Sequence, residues 1–148
     1  MKAIEKFTNF TLNDSGLLIL RLFLGLTMLF AHGIGKWGRL FGGGEIQFSD
    51  PFGVGDTTSL ALAVFAEVIC SILLAFGLLT RWALIPLITT MFVAAFIVHS
   101  SDGFGIMEKS LLYGAGYITL LFTGPGKYSA DVLLKSRKLQ VNQFIVSE

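Results

Sequence analysis

A chain of 148 residues has room for one domain. Hydrophobic residues make up 53% of it and charged residues 14%, against about 25% charged in ordinary soluble domains; the mean hydropathy is +0.73. So few charges cannot cover a soluble globule, which excludes that class and makes lipid the expected solvent. A net charge of +1 leaves no footprint for nucleic acid. The lone cysteine, Cys70, excludes an intramolecular disulfide, a CxxC redox pair and a thiolate zinc site.

A membrane-spanning helix needs about 20 mostly apolar residues, and four stretches qualify. The first covers 16–35, entered from Asn13-Asp14-Ser15, which read as a helix N-cap. A long loop over 36–57 comes next, rich in glycine and in aromatic residues (Trp37, Phe41, Phe48, Phe52), the composition of a lid lying at the headgroup boundary. The second and third stretches, 58–79 and 82–99, are joined by so short a turn at Thr80-Arg81 that they pair antiparallel. The fourth, 108–123, is stopped by Gly124-Pro125-Gly126. The expectation is an all-α membrane protein, a four-transmembrane-helix bundle. A domain over 15–131 lies between a cytoplasmic segment 1–14 and a cytoplasmic tail 132–148. Because three more spans come after the first, that first span is expected to be retained and not cleaved as a signal peptide.

Cations set the orientation. Lys2, Lys6, Arg81, Lys127, Lys135, Arg137 and Lys138 fall on one side, and outnumber Lys36, Arg39 and Lys109 on the other. Both termini are therefore expected in the cytoplasm of a bacterial or archaeal cell, with the chain in its plasma (inner) membrane. The basic run near the tail suits anionic lipid headgroups.

Arg21, His32, Lys36, Glu67, His99 and Glu108 lie within or at the ends of apolar spans. A charge at the bilayer centre costs on the order of 2.5–3.5 kcal/mol, so such residues face the bundle interior and have partners. At 100° per residue, Arg21, Gly25, His32 and Lys36 form one stripe on the first helix. Glu67 sits on a face of small residues (Ala63, Ala66, Cys70, Ser71) that lets a neighbour approach. The fourth helix carries Leu112, Ala115 and Thr119 on the face of Glu108. Glu67, His32, His99 and Glu108 should then converge in the outer half of the bundle as the reactive cluster. Lys36 and Arg21 stand as candidate ligand-binding cations, with a purely structural role for Arg21 and for Arg81 as the competing reading.

The ordered set of these residues is similar to the DoxX family of small four-helix membrane proteins. It comprises Leu20-Arg21-Leu22 with Gly25, His32-Gly33, Lys36, Glu67, Gly77-Leu78-Leu79-Thr80-Arg81, His99, Glu108, and Gly124-Pro125-Gly126-Lys127-Tyr128-Ser129 with Asp131. The resemblance implies quinone-linked membrane oxidoreduction, with partner redox proteins supplying electrons. The missing cysteine pair speaks against thiol–disulfide chemistry. Two functions stand as expectations. One is a quinone-interacting oxidoreductase subunit, in which His32 or Lys36 and His99 donate to the quinone oxygens while Glu67 and Glu108 exchange protons. The other is a non-catalytic membrane scaffold or assembly factor, alone or as a homo-oligomer, whose polar network serves architecture. Metal or haem is disfavoured, because a lysine beside the site repels a cation.

Overall fold

The computed structural model describes residues 2–137, with side chains from residue 12 onward. Lys138 and the side chains of Lys2 and Lys6, part of the charge argument above, lie outside the described residues. Those that are described form helices, turns and loops, with no strand among them.

Helix α1 runs over Lys2–Met28, widens into a π turn at Leu29–Gly33 and continues as Ile34–Phe41. Asn13-Asp14-Ser15 therefore do not cap it; they lie inside it. The Asp14 carboxylate is used across the fold instead, accepting the Lys127 backbone N–H at 2.9 Å. The expected loop also begins later. Trp37 and Phe41 stack one turn apart, with ring centroids 4.6 Å apart, and carry the helix to Phe41 despite Gly35 and Gly38.

Residues 42–55 form the long connection, which folds back onto the bundle. Ile46 and Phe48 pack on the buried Leu60, Val64 and Val68. Asp50 ties the loop: it accepts from Val54 N–H, Gly55 N–H and the Ser59 hydroxyl. Those bonds, Gly55's first and Ser59's next, hold its carboxyl below the usual carboxylate range.

Helix α2 comprises Asp56–Val64, a π turn Phe65–Cys70 and Ser71–Phe76. It ends in a Schellman turn, with Gly77 at φ 68° and Leu78 N–H donating to the Leu73 carbonyl at 2.9 Å. Helix α3, Thr80–Val93 with a π turn at Ala94–Val98, begins at once. Helix α4 is Phe104–Thr123, and residues 130–137 form a short α5.

The stretches Leu12–Phe41, Asp56–Phe76 and Thr80–Val98 are long and apolar enough to cross a membrane. The 20-residue α4 is of similar length but carries Glu108 and Lys109 in its second turn. Helix α1 packs on α2 and α3 on α4 around Met28, Leu74, Leu84, Leu87, Tyr117 and Leu120. Large apolar side chains cover the outside, with Phe76, Trp82 and Phe122 each more than 70% exposed. Water does not tolerate such a surface, and hydrocarbon does.

The end bearing the α2–α3 turn is closed by Arg21, which is 1% exposed. Its guanidinium donates to the carbonyls of Ala75 (3.3 Å), Pro125 (2.6 Å) and Tyr128 (2.6 Å), so α1, α2 and the turn after α4 meet on one side chain. Asp131 finishes the closure. It accepts the backbone N–H groups of Leu79 and Thr80 at 2.7 and 2.9 Å, capping α3 and holding Leu79 in a left-handed conformation at φ 48°.

Candidate functional site

At the opposite end, all three apolar spans change from α to π winding: α1 at Leu29–Gly33, α2 at Phe65–Cys70 and α3 at Ala94–Val98. A π turn takes in an extra residue, so it resets which side chains face inward and frees backbone from the regular ladder. Here the turns of α1 and α2 are pressed together. A Cβ on Gly33 would lie 2.6 Å from the Glu67 carbonyl oxygen, closer than any side chain permits. Gly25 repeats the contact two turns earlier, where a Cβ would lie 2.9 Å from the Ser71 carbonyl.

That approach delivers the ammonium of Lys36 to the carboxylate of Glu67, Nζ to Oε1, at 2.5 Å. Glu67 is 2% exposed, whereas the Lys36 side chain reaches the outside and lies 5.7 Å from the Phe48 ring centroid. A carboxylate buried this deeply stays ionised only beside a cation, and Lys36 supplies one. The second oxygen, Oε2, is buried with no hydrogen-bond partner among the described residues.

Glu67 and Lys36 line a cavity of about 390 Å³, the size of a small-ligand pocket. Its polar lining adds Arg39, Gln47, Ser49 and His99; its apolar lining includes Phe48, Phe52, Leu62, Val93 and Val98. Leu62 is 57% exposed, so the apolar lining reaches the outer face of α2. His99, placed where the π turn of α3 ends, is oriented by Asp102, Nδ1 to Oδ2 at 2.7 Å.

Of the six polar residues singled out in the sequence, the cavity gathers Lys36, Glu67 and His99. His32, Glu108 and Arg21 do not line it. His32 turns to α4 and meets Tyr113 edge-on, with centroids 5.9 Å apart. Glu108 is exposed, and so is Leu112 on the same face of α4. On α1, Arg21, Gly25 and Lys36 still face α2, and His32 alone leaves the expected stripe: within the π turn Gly33 takes the place against α2 instead. The expected inner face of α4 is also corrected: α4 buries Gly114, Tyr117 and Leu120, since its glycines let it close on α1 and α3. Arg39 and Phe48 line the cavity and were not among the site residues expected from the sequence, while Tyr117 is a buried core residue that the sequence reading did not single out. Phe48 and Arg39 had only the loop's composition as a signal; Tyr117, in mid-span, had its hydroxyl.

A bundle of apolar helices with a buried ion pair lining a cavity of small-ligand size defines a polytopic membrane protein with a candidate ligand site. The DoxX family model matches residues 16–100, and the chain belongs to the DoxX family. It is similar to an uncharacterised protein of Haemophilus influenzae, 33% identical over 80% of this chain and 83% of that protein. It is also similar to the inner membrane protein YqjF of Escherichia coli, 30% identical over 85% of this chain and 97% of that one. No solved structure matches the chain at a significant level.

Proposed function

We propose that this protein is a quinone-interacting subunit of an oxidoreductase system in the bacterial inner membrane. In this reading all four long helices span, both termini are cytoplasmic, and the cavity lies in the outer half of the bilayer. The observation that carries it is the Lys36–Glu67 pair lining a cavity whose lining also includes Phe48, Phe52, Leu62, Val93 and Val98.

A quinone presents two carbonyl oxygens on a flat apolar ring and accepts electrons and protons; the cavity's volume and its mixed lining suit such a group. Lys36 donates a hydrogen bond toward one oxygen. His99, fixed through Nδ1 by Asp102, offers Nε2 toward the other. Glu67 holds or releases the proton that accompanies reduction, while Phe48 and Phe52 cover the ring and exclude water. Electrons come from a partner redox protein, since these side chains carry none. His32 and Glu108 have no part in this arrangement, and Arg21 serves the closure at the far end.

The test is extraction in mild detergent followed by mass spectrometry of bound isoprenoids. The wild type should retain isoprenoid quinone, and Lys36→Met, which leaves the Glu67 carboxylate without its cation, should retain at least tenfold less at comparable folded yield. Wild-type protein that carries no quinone and binds none when it is added refutes the reading. A scaffold role is the second reading, favoured by the fact that the same ion pair ties α1 to α2. It is supported if partner proteins copurify without quinone and are lost in Lys36→Met.

A further inference from the structure

Three buried polar atoms in the middle of the bundle have no hydrogen-bond partner among the described residues: Oε2 of Glu67, the Ser71 hydroxyl and the Tyr117 hydroxyl. Their residues are 2%, 0% and 0% exposed. Glu67 and Ser71 are four residues apart on α2, at the π turn and just beyond it. Tyr117 reaches in from α4, its ring centroid 6.0 Å from that of Tyr113, into the same buried cluster as Cys70, the residue before Ser71. The Tyr117 ring also packs in the core beside Cys70, Met28 and Leu74, so the hydroxyl cannot swing out to solvent.

An unpaired buried polar group forfeits the solvation it had in water with nothing in return, and three such groups are a heavy load for a small bundle. Proteins relieve such clusters with internal water, which makes about three hydrogen bonds to groups of this kind. The chemistry of the three atoms suits water: a carboxylate oxygen that accepts, and two hydroxyls that both donate and accept. A metal ion suits them poorly, because the Lys36 ammonium already occupies the other carboxylate oxygen.

We infer that Tyr117 and Ser71 hold an internal water against Oε2 of Glu67, so that the carboxylate is gripped on one side by Lys36 and on the other by a hydrated pair of hydroxyls. Tyr117 is then a positioning residue. It sets the orientation in which Glu67 faces the cavity and keeps a mobile proton carrier beside it on the side away from any ligand. The inference builds on the placement of Glu67 in the proposed site but needs no quinone.

Infrared difference spectroscopy on the full chain in lipid nanodiscs, without added quinone, tests it. The Glu67 carboxyl band is assigned by its disappearance in Glu67→Gln. Water held in the bundle is identified as an O–H band that shifts in H₂¹⁸O and belongs to a site shielded from bulk solvent. Tyr117→Phe keeps the ring and its packing while removing the hydroxyl; it should shift the Glu67 band and abolish the ¹⁸O-sensitive water band. Ser71→Ala should weaken that water band and shift the Glu67 band in the same direction by less. An unshifted Glu67 band in folded Tyr117→Phe overturns the inference. If Tyr117→Phe does not fold, Ser71→Ala decides alone, and an unchanged water band there overturns it equally. Failure of quinone to bind the wild type leaves these bands as they are, so the two readings fail separately.

Discussion

Two acidic residues show how one side chain type serves opposite ends of this bundle. Glu67 is buried against a lysine beside a cavity, while Asp131 caps backbone at the closed end. The Asp131 cap secures a residue that no sequence propensity favours, since Leu79 sits at φ 48°, where a β-carbon is strained. Asp131→Ala should cost about 1–2 kcal/mol through loss of the cap, seen as a lower thermal midpoint in detergent. Leu79→Gly in the same background should restore part of that loss, because glycine adopts the left-handed conformation without strain. No recovery in the double variant would show that the loss does not come from strain at Leu79.

The π turns are the elements that build the site. Each falls within an apolar span at the level of the cavity, and the pair in α1 and α2 is in backbone contact through Gly33. Gly33→Ala places a methyl group 2.6 Å from the Glu67 carbonyl, so the helices must separate. The variant should insert normally yet lose the Lys36–Glu67 contact and at least tenfold of any ligand retention; Gly35→Ala, with open space around it, is the control. Ligand retention equal to wild type in Gly33→Ala would mean that the π turns are not needed for the cavity. None of the three π turns could be read from the sequence. Helical periodicity at 100° per residue assumes a regular helix, and the insertion that breaks it arises from packing between helices, not from any local residue preference.

For the whole molecule, the proposed orientation, with both termini cytoplasmic and the loop 42–55 outside, rests on the cation distribution of the sequence. A membrane-impermeant thiol reagent applied to intact spheroplasts should label a cysteine placed at Gly43 and not one placed at Ser136, with Cys70 buried and unreactive in both. The reverse pattern would move the cavity to the inner half of the bilayer and reverse the side from which protons reach Glu67.

Composition and hydropathy alone determined that this is a helical membrane protein, because burial in lipid requires long apolar runs and those are written directly in residue type. The stop at Gly124, the close joining of the second and third helices, and the position of Glu67 inside an apolar span were equally legible, since each depends on local chemistry; the turn itself was not, for it falls at Gly77–Leu79 and puts Thr80 and Arg81 in the first turn of α3. The extension of α1 beyond its apparent cap and past Lys36 was not. Nor was the partnership of Lys36 with Glu67, the diversion of His32 to Tyr113, or the exclusion of Glu108 from the cavity. These depend on the angle at which one helix meets another. That angle is decided by where glycine lets backbones touch and where a π turn changes which of its residues faces the neighbour, so only the packed bundle could settle it.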